Sequence, residues 1–320
     1  MSASELLPVC VQKIDKLSDD TIALTLVSAN GAKLPEYTAG AHVSVKIADG
    51  LTREYSLCSD PHEAGTYTLG ILKDPGSRGG SVAIHEKVGL GDELEISPPK
   101  NLFPLNDDAP YSVLIGGGIG ITPILAMAYK LHRDGQPFEL RYCVSTTEKA
   151  AFKSLLEQTP FAASVTLHVS REDPAQKYVP ATHLPAADRG AHVYVCGPTG
   201  FMEWCFTEAA SLGYTADRLH KEDFGADVDL SGGGFTVEAK ATGVTVQVAD
   251  GQRIVEALTE AGIEIEVSCE EGVCGTCLCD VLEGEPDHRD SFLTDEERDS
   301  NELIMVCCSR SKSSKLVLDV

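Results

Sequence analysis

The sequence has few basic residues: 26 lysines and arginines stand against 49 aspartates and glutamates, which gives a formal net charge of −23. Nucleic-acid binding needs basic patches that face phosphates, so no nucleic-acid partner is expected. The chain also lacks an apolar run of about 18 residues, the length that a membrane-spanning helix requires. Its first residues contain no apolar signal-peptide core. We therefore expect no membrane association and a cytoplasmic location.

The chain also does not have an even number of cysteines, because it contains eleven. An odd number without a signal peptide argues against a disulfide framework. Six of the eleven follow residue 268, and such clustering indicates a metal site.

The residue patterns predict three domains and a linker. Residues 1–107 contain short apolar runs separated by turn residues, which predicts a small β-barrel with one helix at SVAIHEKV. Residues 108–226 alternate strand-like runs such as YSVLIGG, FELRYCVS and HVYVCGP with helical patterns. This alternation indicates a parallel α/β sheet covered on both faces.

The last part of the chain predicts a separate small domain. Residues 227–233 lie in ADVDLSGGG, whose small and acidic residues are typical of a linker. Residues 234–320 begin with a pattern of a hairpin followed by a helix, as a β-grasp ferredoxin domain does. The predicted fold class is therefore multidomain: a β-barrel, a parallel α/β domain and a C-terminal β-grasp domain.

The clustered cysteines have the spacing of a plant-type [2Fe–2S] site. SCEEGVCGTCLC contains C-x4-C-x2-C, and LIMVCCSR supplies a late cysteine. Gly272 and Gly275 allow the close backbone approach that three thiolates on one loop require. Structural zinc, the alternative, usually takes paired C-x2-C knuckles, and only one such pair is present. The expected ligands are Cys269, Cys274, Cys277 and one late cysteine.

The late cysteine is either Cys307 or Cys308. Successive side chains of an extended strand point to opposite faces, so only one of the two is expected to reach the iron. Cys279 is expected to be a core cysteine beside the site.

Two motifs in the barrel region indicate a flavin site. REYSLCS places Arg53, Tyr55 and Ser56 at the end of a strand. An arginine can hold a phosphate bidentately, a tyrosine ring can lie along an isoalloxazine, and a hydroxyl can reach flavin N5. GSRGGSVAIHE precedes a helix, which makes an anion site. The candidate phosphate-binding residues in that segment are Gly79, Gly80 and Ser81.

Two further motifs, in the α/β region, indicate a nucleotide site. GGGIGITP joins a strand to a helix; alone it is also compatible with an ordinary glycine turn, but its place at a strand end favours a dinucleotide phosphate. YVCGPTGFM ends another strand, and its cysteine is either a core thiol or a neighbour of the nicotinamide. The candidate residues in these motifs are Gly118, Gly120, Thr122, Cys196, Gly197 and Pro198, and Ser145, at the end of FELRYCVS, is a further cofactor-binding candidate.

In this order, Arg53-Glu54-Tyr55-Ser56, GGxGITP, CGP and C-x4-C-x2-C resemble the phthalate dioxygenase reductase family. GEPDHRD and the ending VCCSRSKSSKLVLDV strengthen the resemblance, which covers essentially the whole chain. It implies a three-domain reductase with Phe224 near the flavin, and Cys307 as the fourth ligand, because that ligand opens a C-V-S-R-like tetrapeptide. It implies FMN rather than FAD, held by Arg53, Tyr55, Ser56, Lys73, Gly79, Gly80 and Ser81.

The resemblance implies that NADH electrons pass through FMN and the cluster, one at a time, to a separate Rieske-type oxygenase acting on aromatic rings or related substrates. The expected catalytic residues are Ser56, Thr122, Cys196 and Phe224. No acid–base dyad is required, and His220 and Glu222 are expected to be structural. The alternatives are a stand-alone NAD(P)H:quinone or ferric reductase, and a redox sensor, which leaves two nucleotide sites unexplained. A dioxygenase, monooxygenase or demethylase partner is equally compatible with the sequence.

Residues 234–320 contain about 19 acidic against 7 basic residues. This excess either serves solubility or forms a docking face for a basic partner, where charge mainly accelerates encounter. The segment SREDPAQKY resembles the 2′-phosphate grip of ferredoxin–NADP reductases, or is a solvated loop; the family resemblance favours NADH, with NADPH possible. A monomer is expected.

Overall fold

The computed structural model describes residues 6–48, 51–63, 65–76, 79–224, 229–267, 272–273 and 275–320. The chain divides into two compact units, Met1–Phe224 and Gly225–Val320. The first unit contains a barrel and a parallel sheet, and the second contains a smaller mixed sheet. The predicted boundary at residues 107 and 108 falls inside the first unit, and it stays a prediction, as does the linker at 227–233.

The N-terminal sheet is antiparallel, with the strand order β4-β3-β6-β1-β2-β5 and β7 beside β3. A bridge between Leu57 and Leu69 joins its two edges, so the sheet curls into the predicted barrel. Its core is apolar, with Leu24, Val43 and Leu69 fully buried. The elements are β1 Leu7–Lys16, β2 Thr21–Ser28, β3 Ala41–Ala48, β4 Leu51–Ser56, β5 Thr66–Leu72, α1 Gly80–Lys87, β6 Glu93–Ile96 and β7 Lys100–Asn101.

The second sheet of this unit is parallel, in the order β10-β9-β8-β11-β12. Alternate residues of β8 enter different cores: Leu114 packs with α2, while Val113 and Ile115 pack with α5. Burial on both faces confirms the predicted α/β arrangement. The elements are β8 Ser112–Gly117, α2 Ile121–Arg133, β9 Phe138–Val144, α3 Lys153–Leu156, β10 Val165–Val169, α4 Pro180–His183, β11 His192–Cys196, α5 Thr199–Ser211 and β12 Leu219–Glu222.

The helices are short, and the longest, α2 and α5, have 13 residues each. α3 is a single turn, although AAFKSLLEQ predicts a longer helix. Pro160 follows shortly after α3, and a proline disfavours helical geometry in the residue that precedes it. Over the described ranges, no helix has both the length and the apolar character needed to cross a membrane.

The barrel and the parallel sheet share a core. The cluster around α2 includes Ala39, Cys58 and Phe103 from the barrel region. At Gly70 of β5, a Cβ atom would lie 2.6 Å from both Thr122 Cγ2 and the Phe152 ring. This contact explains why residues 6–224 pack as one compact unit.

The C-terminal unit has a mixed sheet in the order β14-β13-β19-β15-β17, in which β13 and β19 are parallel. Ile254 and Leu258 of α6 pack into the core of this sheet. The predicted hairpin and helix are confirmed, and the topology is that of a β-grasp domain. The elements are β13 Phe235–Ala239, β14 Val244–Val248, α6 Ile254–Glu260, β15 Leu278–Glu283, β16 Pro286–Asp287, α7 Asp295–Ser300, β17 Leu303–Met305, β18 Arg310–Ser311 and β19 Lys315–Leu318.

A buried arginine joins several loops of this unit. Arg310 is 1% exposed, and its guanidinium lies over the Phe235 ring at 5.1 Å. It donates hydrogen bonds of 2.7 to 3.3 Å to the backbone carbonyls of Gln252, Gly232, Gly233 and Ala249. Without the guanidinium, these partly buried carbonyl oxygens would lose charge-assisted partners.

Replacing Arg310 by alanine is therefore expected to destabilise the C-terminal unit by about 3 kcal/mol or more, because hydrogen bonds to charged groups contribute about 1.5–3 kcal/mol each. Hydrogen exchange followed by peptide mass analysis should show lost protection in β13 and β19 and unchanged protection in the barrel. Lys312→Ala, at a residue whose side chain is 54% exposed, is the control. Equal protection in Arg310→Ala and Lys312→Ala would contradict this account.

Candidate functional site

The carboxyl ends of three parallel strands meet in one row. In the register of the sheet, Cys196 of β11 pairs with Gly116 of β8 on one side and Glu222 of β12 on the other. The strand order reverses between β8 and β11, and ligands of open α/β sheets bind outside the strand ends at such a point. The row therefore marks the expected ligand edge.

The glycine loop between β8 and α2 packs directly on the end of β11. A Cβ atom on Gly120 would lie 2.3 Å from the Cys196 carbonyl oxygen, and one on Gly197 would lie 2.9 Å from Gly117 Cα. Gly118 adopts a φ of 57°, in the left-handed region. Only glycines allow this approach, so the predicted glycine motif has a packing reason as well as room for a phosphate.

A cavity of about 770 Å³ lies between the barrel and the parallel sheet. Its volume is that of a typical small-molecule site. Four residues expected from the sequence line it: Lys73, Gly118, Ser145 and Pro198. Sequence reasoning missed other lining residues, because only the fold brings them together: Asp20, Lys149, Phe152, Phe201 and Trp204.

One wall of the cavity is aromatic and cationic. Lys177 Nζ lies 5.7 Å from the centre of the Trp204 ring, and Tyr178 stacks on His183 at 5.4 Å. The Tyr178 hydroxyl and His168 Nε2 are buried and make no hydrogen bond to the described residues. The end of SREDPAQKY thus lines the cavity, which offers ring faces and a positive charge to a nucleotide.

The predicted flavin-phosphate residues lie together. A Cβ atom on Gly80 would lie 2.5 Å from Arg53 Cγ, so the arginine stem crosses the first residue of α1. Gly79 precedes it with a φ of 82°, and Ser81 Oγ accepts the Asp74 N–H at 3.1 Å. A guanidinium beside a helix N-terminus suits a phosphate group, and the close glycine contact leaves no room for a side chain.

One of the other flavin candidates, Ser56, contacts a carboxyl group. Ser56 Oγ donates a hydrogen bond to Glu222 Oε2 at 3.2 Å. Burial raises the pKa of Glu222 to about 8, although the Ser56 bond acts against this, and burial raises the pKa of Tyr55 to about 12. His220, also expected to be structural, bonds His192 through ring nitrogens 2.9 Å apart.

The four expected catalytic residues all lie outside the lining of the large cavity. Thr122 Oγ1 donates to the Ile119 carbonyl at 3.1 Å, and its methyl group faces Gly70. Cys196 is fully buried, and burial holds the pKa of its thiol well above the ordinary value. Phe224, two residues after β12, is 39% exposed. Of these four residues, Ser56 contacts Glu222 and Thr122 contacts the barrel. The catalytic roles of all four stay predictions.

Two of the four expected cluster ligands, Cys269 and Cys274, lie outside the described residues. The other two, Cys277 and Cys307, are each 1% exposed. Gly272 and Gly275 both have a φ of 77°, and Cβ atoms there would lie 2.4 Å from Cys308 Sγ and from the Phe292 ring, respectively. Two buried thiols, near two positions where the backbone favours glycine, fit a small iron–sulfur cluster.

The geometric argument about the late cysteines is wrong in one respect. Cys307 and Cys308 do not lie in an extended strand but in a turn after β17, where the N–H groups of Cys308 and Ser309 both donate to the Met305 carbonyl. Side chains in a turn do not alternate between faces, so the choice of Cys307 depends on the family resemblance alone and stays a prediction.

Each of the two units contains a region that matches a known protein family. Residues 114–206 match a family described as an oxidoreductase NAD-binding domain, and residues 236–312 match a 2Fe-2S iron-sulfur cluster binding domain. The fold and the sites therefore define a nucleotide-dependent iron–sulfur oxidoreductase.

Relatives that match along the whole chain specify the family. A vanillate O-demethylase oxidoreductase of Pseudomonas sp. strain HR199 is 45% identical over 98% of this chain and 100% of its own. A carnitine monooxygenase reductase subunit of Escherichia coli K12 is 39% identical over 100% of both chains. The solved structure of a phthalate dioxygenase reductase is 34% identical over 98% of both chains, with a TM-score of 0.79. The chain belongs to the phthalate dioxygenase reductase family, which confirms the resemblance seen in its motifs.

The raised pKa of Glu222 predicts a pH-dependent stability. The folded chain holds this proton up to a pKa of about 8, whereas the ordinary value is 4.5, so folding loses stability as pH rises between these values. Glu222→Gln removes this loss, and each pKa unit corresponds to about 1.4 kcal/mol. Urea unfolding at pH 5 and pH 9 should show a larger fall for wild type than for Glu222→Gln. Parallel pH profiles would contradict the prediction, and the exposed Glu148→Gln is the control.

Proposed function

We propose that this chain is the NADH-dependent reductase component of a two-component oxygenase, with a Rieske-type oxygenase as its electron acceptor. One observation carries the proposal: a single chain contains both a nucleotide-sized cavity on a flavin-type barrel and a cluster-binding domain. The reductases of a demethylase and a monooxygenase among its relatives support it.

A bound FMN would supply hydride acceptance from NADH and release of single electrons, and a bound [2Fe–2S] cluster would supply one-electron transfer to the acceptor protein. The chain's own residues hold and orient these groups. Arg53 and the N-terminus of α1, with Gly79, Gly80 and Ser81, would hold the flavin phosphate. Lys73 lies at the cavity wall beside them, where its Nζ pairs with Glu86 Oε1 at 3.0 Å.

For the nucleotide, the glycine loop that precedes α2 reaches the cavity, and a helix N-terminus favours a pyrophosphate. Gly118, Ser145 and Pro198 line the path along the cavity. Lys177 and Trp204 lie in the same wall and offer a charge and a ring face. NADH is the proposed nucleotide, with NADPH tested beside it by comparing kcat/KM.

Two groups at the strand ends are buried and protonated. The Cys196 thiol is buried. The Glu222 carboxyl, which accepts a hydrogen bond from the Ser56 hydroxyl, keeps its proton at neutral pH because burial raises its pKa. Thr122 packs the start of α2 against the barrel, so the flavin-binding and nucleotide-binding residues keep one relative position. Phe224, at the end of the first unit, is proposed to pack near the flavin.

For the cluster, we propose Cys269, Cys274, Cys277 and Cys307 as ligands. The acidic excess of the C-terminal unit is proposed to face the oxygenase, since opposite charge accelerates encounter. A monomeric reductase in the cytoplasm is the arrangement expected from the sequence, and both points stay predictions.

Anaerobic titration with NADH tests the proposed function. The purified holoprotein should lose its visible flavin absorbance and then develop the EPR signal of a reduced [2Fe–2S] cluster. A protein that contains no iron, or that reduces quinone rapidly while its cluster stays oxidised, would contradict the proposal. The second outcome would support a stand-alone quinone reductase.

Serine variants of the two late cysteines test the fourth ligand. Cys307→Ser should lose bound iron and the one-electron reduction of cytochrome c, while Cys308→Ser keeps both, because Cys307 is the one late cysteine proposed as a ligand. Ferricyanide reduction, which needs only the flavin, should continue in both variants. Iron loss in Cys308→Ser with retention in Cys307→Ser would reverse the assignment.

A further inference from the structure

A fully buried carboxylate ends the GEPDHRD motif. The side chain of Asp290 has no exposed surface. Burial of an ionised carboxylate is unfavourable unless hydrogen bonds and opposite charges compensate it. The partners of Asp290 therefore show which segments it joins.

Asp290 joins three separate segments of the C-terminal unit. Its Oδ2 accepts the backbone N–H groups of Phe292 at 3.1 Å and Leu293 at 2.8 Å. Its Oδ1 accepts the Ser309 hydroxyl at 3.4 Å, in the turn that follows the late cysteines. Arg298 of α7 lies 3.8 Å from Oδ2 and donates to the Asp290 carbonyl at 2.8 Å.

The same segment contacts the cysteine loop. The Ser291 N–H donates to the Gly272 carbonyl at 3.0 Å. A Cβ atom on Gly272 would lie 2.9 Å from Asp290 Cβ and 2.4 Å from Cys308 Sγ. The backbone at Gly272 therefore lies between the Asp290 segment and the turn that carries the late cysteines.

We propose that Asp290 is a positioning residue for the iron–sulfur cluster. The cluster ligands of the proposed function, on which this inference rests, come from two segments: a loop with three cysteines and a turn with the fourth. Asp290 contacts the turn through Ser309 and the loop through its own backbone neighbour, so it fixes the separation of the two ligand groups. Partners outside the ligand set that orient ligands commonly change metal affinity when they are removed.

The charge of Asp290 gives a second effect. A buried negative charge beside the cluster disfavours the reduced form, because that form carries one more electron. Arg298, whose side chain is 32% exposed, compensates this charge only in part at 3.8 Å, and His288 Nδ1 lies 3.7 Å from Asp290 Oδ1. Removal of the charge is therefore expected to make the reduction potential of the cluster more positive. A residue with only a folding role would leave the potential unchanged.

Asp290→Asn and Asp290→Ala in the full holoprotein test the inference, with Asp299→Asn as the matched control. Asp299 lies on exposed surface of α7, so this control removes the same charge from a nearby site. The measurements are bound iron and sulfide, the half-life of cluster absorbance in a chelator, and the midpoint potential from an EPR-monitored redox titration. Both Asp290 variants should lose the cluster about 10- to 100-fold faster than the control. Asp290→Asn should also have a more positive potential, while ferricyanide reduction stays unchanged.

The near-isosteric Asn variant decides the result if Asp290→Ala unfolds the unit. Asp290→Asn with the half-life and the potential of Asp299→Asn would overturn the inference. Faster cluster loss, with hydrogen-exchange protection of β13 and β19 retained, would support it. A wild-type protein without iron would instead refute the proposed function, so the two failures are distinguishable.

Discussion

The close approach of two backbone segments, the glycine loop after β8 and the end of β11, determines the ligand edge of the first unit. No Cβ atom fits between Gly120 and the Cys196 carbonyl, so β8, β11 and α2 keep one relative position. α2 then places Thr122 against Gly70 of the barrel, and β12 brings Glu222 to Ser56. Cavity, barrel contact and buried carboxyl all depend on this one approach.

The C-terminal unit uses a different principle. It is small, and a small domain buries a limited apolar area. Two buried ionic groups add specific links between its loops: Arg310 binds backbone carbonyls of two segments, and Asp290 joins the motif GEPDHRD to the turn after β17. Such groups specify one arrangement because each requires its full set of partners. In this domain, polar networks fix the positions of loops that an apolar core alone would leave adjustable.

The sequence predicted those parts of the structure whose signals are local. A dozen residues or fewer are enough to recognise the apolar strands β8 and β11, the glycine turn and the C-x4-C-x2-C spacing. β12 was missed because His220, Lys221 and Glu222 have no strand pattern, and pairing with β11 alone makes them a strand. The contact of Ser56 with Glu222 joins residues 166 positions apart and has no local signal.

Two further differences have the same origin. α3 ends early although its residues favour a helix, and the late cysteines occupy a turn where an apolar run predicted extension. The aromatic wall at Trp204 and Lys177 combines α5 with a loop after β10, and only the folded sheet brings these segments together. A local motif thus indicates residues that share one strand end or one helix start, whereas residues brought together by a neighbouring strand carry no local signal.

The shared core of the barrel and the parallel sheet determines which parts of such a chain evolution can exchange. A gene fusion that moved the barrel alone would expose Phe103 and Cys58 to water and leave α2 without part of its packing. A join after Phe224 leaves this core intact. The whole first unit is therefore the smallest part of this half of the chain that an exchange could move without opening its core.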